Sequence, residues 1–218
     1  MADQLILGID TATEVQVGLA DGSQVLTSAS YDDPRRHVEQ LAPLIQQVFS
    51  EAGVQAAELT KIIVGVGPGP YTGLRVGIAA ARTMASALGI EVCGVCSLDV
   101  LAAQWLRSDA APADDFLITT DARRKEIYWA RYAPDGSRVA GPAVGKSDDL
   151  PALPIGGPAT VIYPALQAAA NAPTRLDAGM LALAGRELAD AGIEPLYLRN
   201  PDAAPPGPRK SVLPRVLR

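Results

Sequence analysis

The densest run of residues able to do chemistry is Gly65-Val66-Gly67-Pro68-Gly69-Pro70-Tyr71-Thr72-Gly73-Leu74-Arg75-Val76-Gly77. It follows a short apolar stretch with strand character, Ile62 to Val66, and opens a helical one. Glycines there could turn backbone N–H groups toward an anion at a helix N-terminus. The details weigh against a phosphate loop: no Lys-Ser/Thr closes the run, the spacing is not G-x-G-x-x-G, and Pro68 and Pro70 remove two donors. A second reading starts from the helix. Gly73, Gly77, Ala80 and Met84 fall on one line at helical spacing, with Val76 and Thr83 beside it and Arg75, Ala79, Arg82 and Ser86 flanking. Such a line lets another helix approach closely, from a partner or from the same chain.

The other candidates stand singly. Asp10, in Gly8-Ile9-Asp10-Thr11-Ala12-Thr13, could hold magnesium or orient water, or cap a turn with Thr11 and Thr13. His37 has Glu39 near it and could serve as an acid or base. It is the single histidine, so no paired metal site can form, which favours a structural or interface role. Cys93 and Cys96 make a C-x-x-C pair inside an apolar run with no second pair, and read as buried structural thiols. Asp121 and the basic run Arg123-Arg124-Lys125 read as a turn before a strand. No metal and no cofactor is expected.

These residues must be positioned by an α/β chain. Strands are expected at Leu5 to Ile9, Val15 to Ala20 and Gln24 to Ser30, with Asp21-Gly22 turning the last two into a hairpin. A helix over Arg36 to Ala52 carries Val38, Leu41, Ile45, Val48 and Phe49 on one stripe, with Leu44 beside it and Pro43 bending it. A second helix spans Thr72 to Leu88 and stops at Gly89. A strand over Glu91 to Val95 and a helix over Leu98 to Arg107 follow. Strands are expected again at Phe116 to Thr120 and Glu126 to Tyr132. Helical stretches near Val161 to Ala170 and Leu176 to Ala191 precede a last strand at Leu196 to Arg199. Prolines and glycines break the chain between Pro134 and Pro158, and no internal repeat recurs at a fixed period.

The 218 residues are 48% hydrophobic but only 5% aromatic, so the core must be built from Ala, Val, Leu and Ile. With 19 basic and 24 acidic residues the formal charge is −5, which argues against broad contact with a phosphate backbone. No run reaches 18 apolar residues and no leader is evident, so the expected location is the cytoplasm. Residues 1–107 form one expected half and 108–200 a reduced second half, divided at an Ala-, Asp- and Pro-rich stretch. Residues 201–218, rich in Pro and Arg, form an expected flexible tail.

Taken together, Asp10-Thr11-Ala12-Thr13, His37-Val38-Glu39-Gln40-Leu41-Ala42-Pro43, the run Gly67 to Gly77 and Pro195-Leu196-Tyr197-Leu198-Arg199 resemble the TsaB (YeaZ) family. The resemblance covers about residues 4 to 200, and the glycine-rich run is its specific part. It implies an actin-like, sugar-kinase/Hsp70-like fold of two halves, each a mixed sheet flanked by helices. It also implies a non-catalytic subunit that binds and activates the paralogue TsaD, together with the ATPase TsaE. That complex transfers a threonylcarbamoyl group to N6 of adenosine 37 in tRNAs reading ANN codons, with tRNA met only through the complex. The TsaD relatives hold metal with two histidines four residues apart; here position 41 is Leu. Gly156-Gly157 resembles the second glycine turn of actin-like ATPases but is interrupted by Pro158. The implied partner surface, shared with a possible homodimer, comprises His37, Leu44, Gly73, Arg75, Val76, Gly77, Ala80, Thr83 and Met84. The family motif maps to Asp10, Thr11, Thr13, Gly67, Pro68, Gly69, Thr72, Gly73, Leu74, Arg75 and Gly77. The competing expectation is a stand-alone actin-like ATPase or kinase using Asp10 and the loop at Gly67.

Overall fold

β1 (Leu5–Asp10) is buried along its whole length because it runs through the middle of a five-stranded sheet. Its side chains alternate between two cores. Leu5, Leu7 and Ile9 pack under α1 (His37–Ala52) and α2 (Tyr71–Leu88), and Ile6 points into a second core on the opposite face. The computed structural model describes residues 4–31 and 37–199, with side chains from 39 onward in the second span. β2 (Val15–Ala20) and β3 (Val25–Tyr31) form an antiparallel meander on one side of β1. β4 (Leu59–Gly65) and β5 (Glu91–Val95) extend the sheet in parallel on the other, giving the order β3-β2-β1-β4-β5.

A second sheet repeats this scheme. β6 (Phe116–Asp121) pairs antiparallel with β7 (Ile127–Tyr132), which pairs antiparallel with β8 (Arg138–Gly145), while β9 (Ile155–Gly156) adds parallel to β6. Its order, β8-β7-β6-β9, is the third-second-first-fourth order of the first sheet. The duplication is one of topology, invisible to a search for a sequence period. Between the sheets lie α3 (Ser97–Leu106) and α5 (Ala178–Ala184), and α4 (Ala159–Ile162) covers the far side of the second sheet. The interlayer core joins Trp105, Phe116 and Tyr132 in ring contacts, and Tyr132 donates its hydroxyl to Asp99 at 2.6 Å. Arg138 donates to both oxygens of Asp99, at 3.0 and 3.2 Å, so α3 is tied to the second sheet by charge as well as packing.

Several expectations need correction. β8 and β9 lie in the stretch expected to be broken; β8 tolerates Pro142 because it is an edge strand, where a missing donor faces outward. The helix expected over Val161 to Ala170 is only Ala159–Ile162, since Pro164 disfavours helical backbone at Tyr163. The helix expected over Leu176 to Ala191 is α5 followed by one 3₁₀ turn at Gly185–Glu187. Leu196 to Arg199 is no strand: Leu196 donates to Val66 O at 2.8 Å, but no ladder forms. Leu44, expected at a wet apolar edge, is 7% exposed and belongs to the core. The tail 201–218 lies outside the described residues.

α5 follows the second sheet in sequence but seats itself on the first. Its docking place is a cross-strand pair of glycines, Gly8 opposite Gly18. A Cβ on Gly8 would lie 2.2 Å from Ala178 O, and one on Gly18 2.2 Å from Gly179 N. Backbone meets backbone there, and neither can yield as a side-chain tip would. Gly18→Ala is therefore expected to destabilise the chain by about 2–3 kcal/mol in chemical denaturation. Gly22→Ala, where nothing lies within 4 Å, should change stability by no more than about 0.5 kcal/mol.

Candidate functional site

The glycine-rich run leaves β4 and crosses the end of β1 before α2 begins. Residues 66–69 are buried, and the N–H groups of Val66 and Gly67 are engaged within the chain. Val66 donates to Val95 O at 2.9 Å, Gly67 donates to Ser97 Oγ at 3.3 Å, and Ser97 donates its N–H to Gly67 O at 2.8 Å. The glycines serve close approach. Gly67 holds φ 106° against Leu74, whose side chain a Cβ would meet at 2.9 Å. A Cβ on Gly69 would lie 2.8 Å from Ala12 O, and one on Gly73 2.6 Å from Thr11 O. At Gly77 it would fall 2.4 Å from Thr11 Oγ1. Thr11 itself donates to Gly73 O at 2.7 Å and accepts from Gly77 N at 3.2 Å, which pins the first turns of α2 to the end of β1. The rival reading of the small-residue line thus holds for Gly73 and Gly77: both face this chain's own Thr11.

Asp10 is fully buried at the same place. One oxygen accepts from Ala12 N at 2.8 Å, closing the turn that carries Thr11 and half-buried Thr13, and the other accepts from Ser97 Oγ at 2.5 Å. A Cβ on Gly65 would sit 1.8 Å from that second oxygen. Burial outweighs the Ser97 and Ala12 hydrogen bonds and pushes the carboxyl pKa up to about 6. This carboxylate caps a turn and has no open side from which to meet a metal or a phosphate.

The outward face of α1 and α2 is different. Leu74, Ile78, Ala81 and Ala85 fill the core, whereas Val76, Ala80 and Met84 are only half-buried. Ile45 and Phe49 of α1 are half-buried in the same cluster, so the two helices present a shallow apolar strip. Thr72 and Thr83 are exposed near it. Arg75 is exposed but occupied: it donates to the Tyr197 hydroxyl at 2.9 Å and stands 4.8 Å from the Tyr71 ring centre. Tyr71 and Tyr197 stack at 3.8 Å, so the Pro195–Arg199 segment is strapped to α2. His37 is the first residue of α1, and its side chain lies outside those described.

Cys96 is buried at the entrance to α3, and burial followed by the nearby Asp99 charge pushes its thiol up to about 12. Cys93 departs from expectation in being half-buried, donating to Glu91 Oε1 at 3.0 Å beside Lys61; burial and Glu91 raise its pKa. Neither is disposed to be a thiolate. Gly157 holds φ 106°, and a Cβ there would lie 2.2 Å from Thr119 O. Sequence reasoning missed Ser97 and the Thr11 latch. Ser97 carried a usable signal, a hydroxyl at a strand-to-helix junction. The Thr11 contact, made across 62 residues, carried none.

Two mixed sheets of the same strand order, with helices on their faces, define an actin-like α/β chain. Residues 30–182 match the model of the family described as TsaD: tRNA N6-adenosine threonylcarbamoyltransferase. The chain belongs to this family, in its TsaB/YeaZ branch. An uncharacterized protein of Mycobacterium tuberculosis is 40% identical over 210 residues, 92% of this chain and 94% of its own length. The tRNA threonylcarbamoyladenosine biosynthesis protein TsaB of Escherichia coli is 34% identical over 137 residues, 62% of this chain and 57% of that protein. Among solved structures, YeaZ from Pseudomonas aeruginosa superimposes with TM-score 0.71 at 25% identity, covering 89% of this chain and all of that one. Among the described residues no helix is long and apolar enough to cross a membrane.

The buried Asp10 makes a signed prediction. Its folded pKa lies above the ordinary value of 3.8, so the folded state holds its proton more tightly than the unfolded one. The favourable contribution is complete below pH ~4 and is lost as pH rises through ~6. Asp10→Asn keeps the shape and removes the charge. Denaturant titrations should find it gaining stability relative to the parent by about 2–3 kcal/mol between pH 4 and pH 8. A constant difference across that range would show that the folded carboxyl is not raised above its ordinary pKa.

Proposed function

We propose that this chain is a non-catalytic accessory subunit that binds and activates a TsaD-type paralogue in tRNA threonylcarbamoyladenosine biosynthesis. The catalytic chain, in this reading, transfers the threonylcarbamoyl group to N6 of adenosine 37, with TsaE as a further component and tRNA met in the assembled complex. The observation that carries the reading is the half-buried strip of Val76, Ala80 and Met84 beside Ile45 and Phe49, with α2 latched beneath to Thr11. Apolar side chains left half-wet on two adjacent helices suit a helical partner face, and a paralogue of the same fold would offer a matching pair. His37, at the start of α1, and Thr83 and Arg75, along α2, would border that contact. Gly73, Gly77 and Leu44 would support it from within.

Support also comes from the closed loop. A stand-alone ATPase or kinase of this architecture would need open backbone donors at 66–69 and an accessible Asp10, and here both are buried. The same strip could pair two copies of this chain when the paralogue is absent, competing for one surface.

Ala80→Arg tests the assignment. Ala80 is half-buried on the outer flank of α2, so the long cation should be able to reach solvent in the free chain and be left unpaired in a complex. Circular dichroism should find the fold unchanged. Pull-down and titration with the TsaD paralogue should find affinity reduced roughly 100-fold or more, about 3 kcal/mol. A well-folded variant that pairs with undiminished affinity removes this face from the interface.

A further inference from the structure

The turn between β6 and β7 holds three consecutive cations on a backbone that the fold alone would not choose for them. Arg123, Arg124 and Lys125 have φ of 63°, 56° and 62°, all in the left-handed region. For L-residues other than Gly, Asn or Asp this conformation is costly, and three in succession rarely occur. Glycine would satisfy the turn with less strain. Side chains retained against such strain point to a use outside the fold.

The surroundings hold the backbone in place and turn the anions inward. Asp121 accepts from Arg123 N at 2.7 Å and from the Tyr163 hydroxyl at 2.7 Å. Ala122 donates to Glu126 O and Glu126 donates to Arg123 O, each at 3.0 Å. The Glu126 carboxylate is paired with Arg199. Arg123 meets Asp121 only at 3.4 Å, with 70% of its side chain exposed against 11% for Asp121. Lys125 is exposed and has no ionic partner among the described residues. The tip therefore presents the Arg123 guanidinium and the Lys125 ammonium on a stiff hairpin end. The positive field is local, because Asp148 and Asp149 follow β8 at the same end of the sheet and the whole chain carries −5.

We propose that this turn contacts the phosphate backbone of RNA. The inference rests on the proposed role in a tRNA-modifying complex and deepens it by giving this subunit its own contact with the nucleic acid. Arginine forks suit phosphate oxygens, and a protruding rigid tip suits a few contacts to a large polyanion better than an extended groove does. Two cations make such binding weak in the isolated chain and useful within an assembly.

The test uses the full chain and its Arg123→Gly/Lys125→Gly variant. Each is titrated into a fluorescent, unmodified tRNA transcript, alone at low salt and with the TsaD paralogue at about 0.15 M salt. Poly-L-glutamate serves as the acidic-polypeptide probe. The melting temperature of the variant should be unchanged or raised, because glycine suits the backbone; a clear fall would remove the strain premise. Affinity for tRNA should fall on the order of tenfold, and the slope of log K against log salt should shrink by roughly 1–2, while pairing with the paralogue is unaltered. Equal tRNA affinity and slope for the two chains would overturn the proposal. So would an equal loss of affinity for poly-L-glutamate or for the paralogue, which would assign the turn to an acidic protein surface. If the parent chain and the paralogue fail to associate, the accessory role fails, and the low-salt comparison of the isolated chains still decides: no difference there rejects the RNA contact.

Discussion

The contact on which the arrangement turns is the Thr11 hydroxyl, set between two glycines one helical turn apart. By donating to Gly73 O and accepting from Gly77 N–H, it fixes both the height and the rotation of α2 against the end of β1. Rotation is the important quantity. With Gly73 and Gly77 held inward, Leu74, Ile78, Ala81 and Ala85 are committed to the core and Val76, Ala80 and Met84 to the outer flank. The composition of the exposed strip is thus decided by an internal hydrogen bond that no partner would touch.

The same latch explains why a place that resembles a ligand site is closed. The loop at 66–69 must cross the β1–β2 turn at backbone distance to deliver α2 to Thr11, and that crossing buries its amides. Asp10, at the bottom of the crossing, is left to serve Ala12 N and Ser97 Oγ. Its charge is carried at a cost that two hydrogen bonds only partly offset. Asp99 ties α3 to the second sheet through Tyr132 and Arg138, and the Tyr71–Tyr197 stack holds the Pro195–Arg199 segment on α2.

Much of the first sheet was legible because its elements obey simple periods. β1, β2, β5 and α2 fall within a residue or two of their expected bounds, and Gly89 ends α2 in the left-handed conformation that favours glycine there. The second half was harder. β8 carries a proline and pairs through shifted register, and β9 is two residues long, so neither offers a run of alternating side chains to read. α5 is seven residues whose face is set by a glycine pair on distant strands rather than by its own pattern. At the site, the glycine-rich run announced close approach but not its target. The line Gly73, Gly77, Ala80, Met84 looked continuous in sequence and is divided in space, its first half spent on Thr11 and its second half at the surface. Periodicity places residues on a helix; it does not say which neighbour each side meets.

The seating of α5 on Gly8 and Gly18 bears on how the polypeptide reaches its final form. The backbone that fits the glycine pair of β1 and β2 lies some 160 residues further along the chain. Without that segment the face of the first sheet that carries Ile6, Ala20 and Ile63 lacks part of its cover. The segment that completes the first sheet follows the whole of the second one, and the unfinished lobe is the species most in need of protection from association with others like itself.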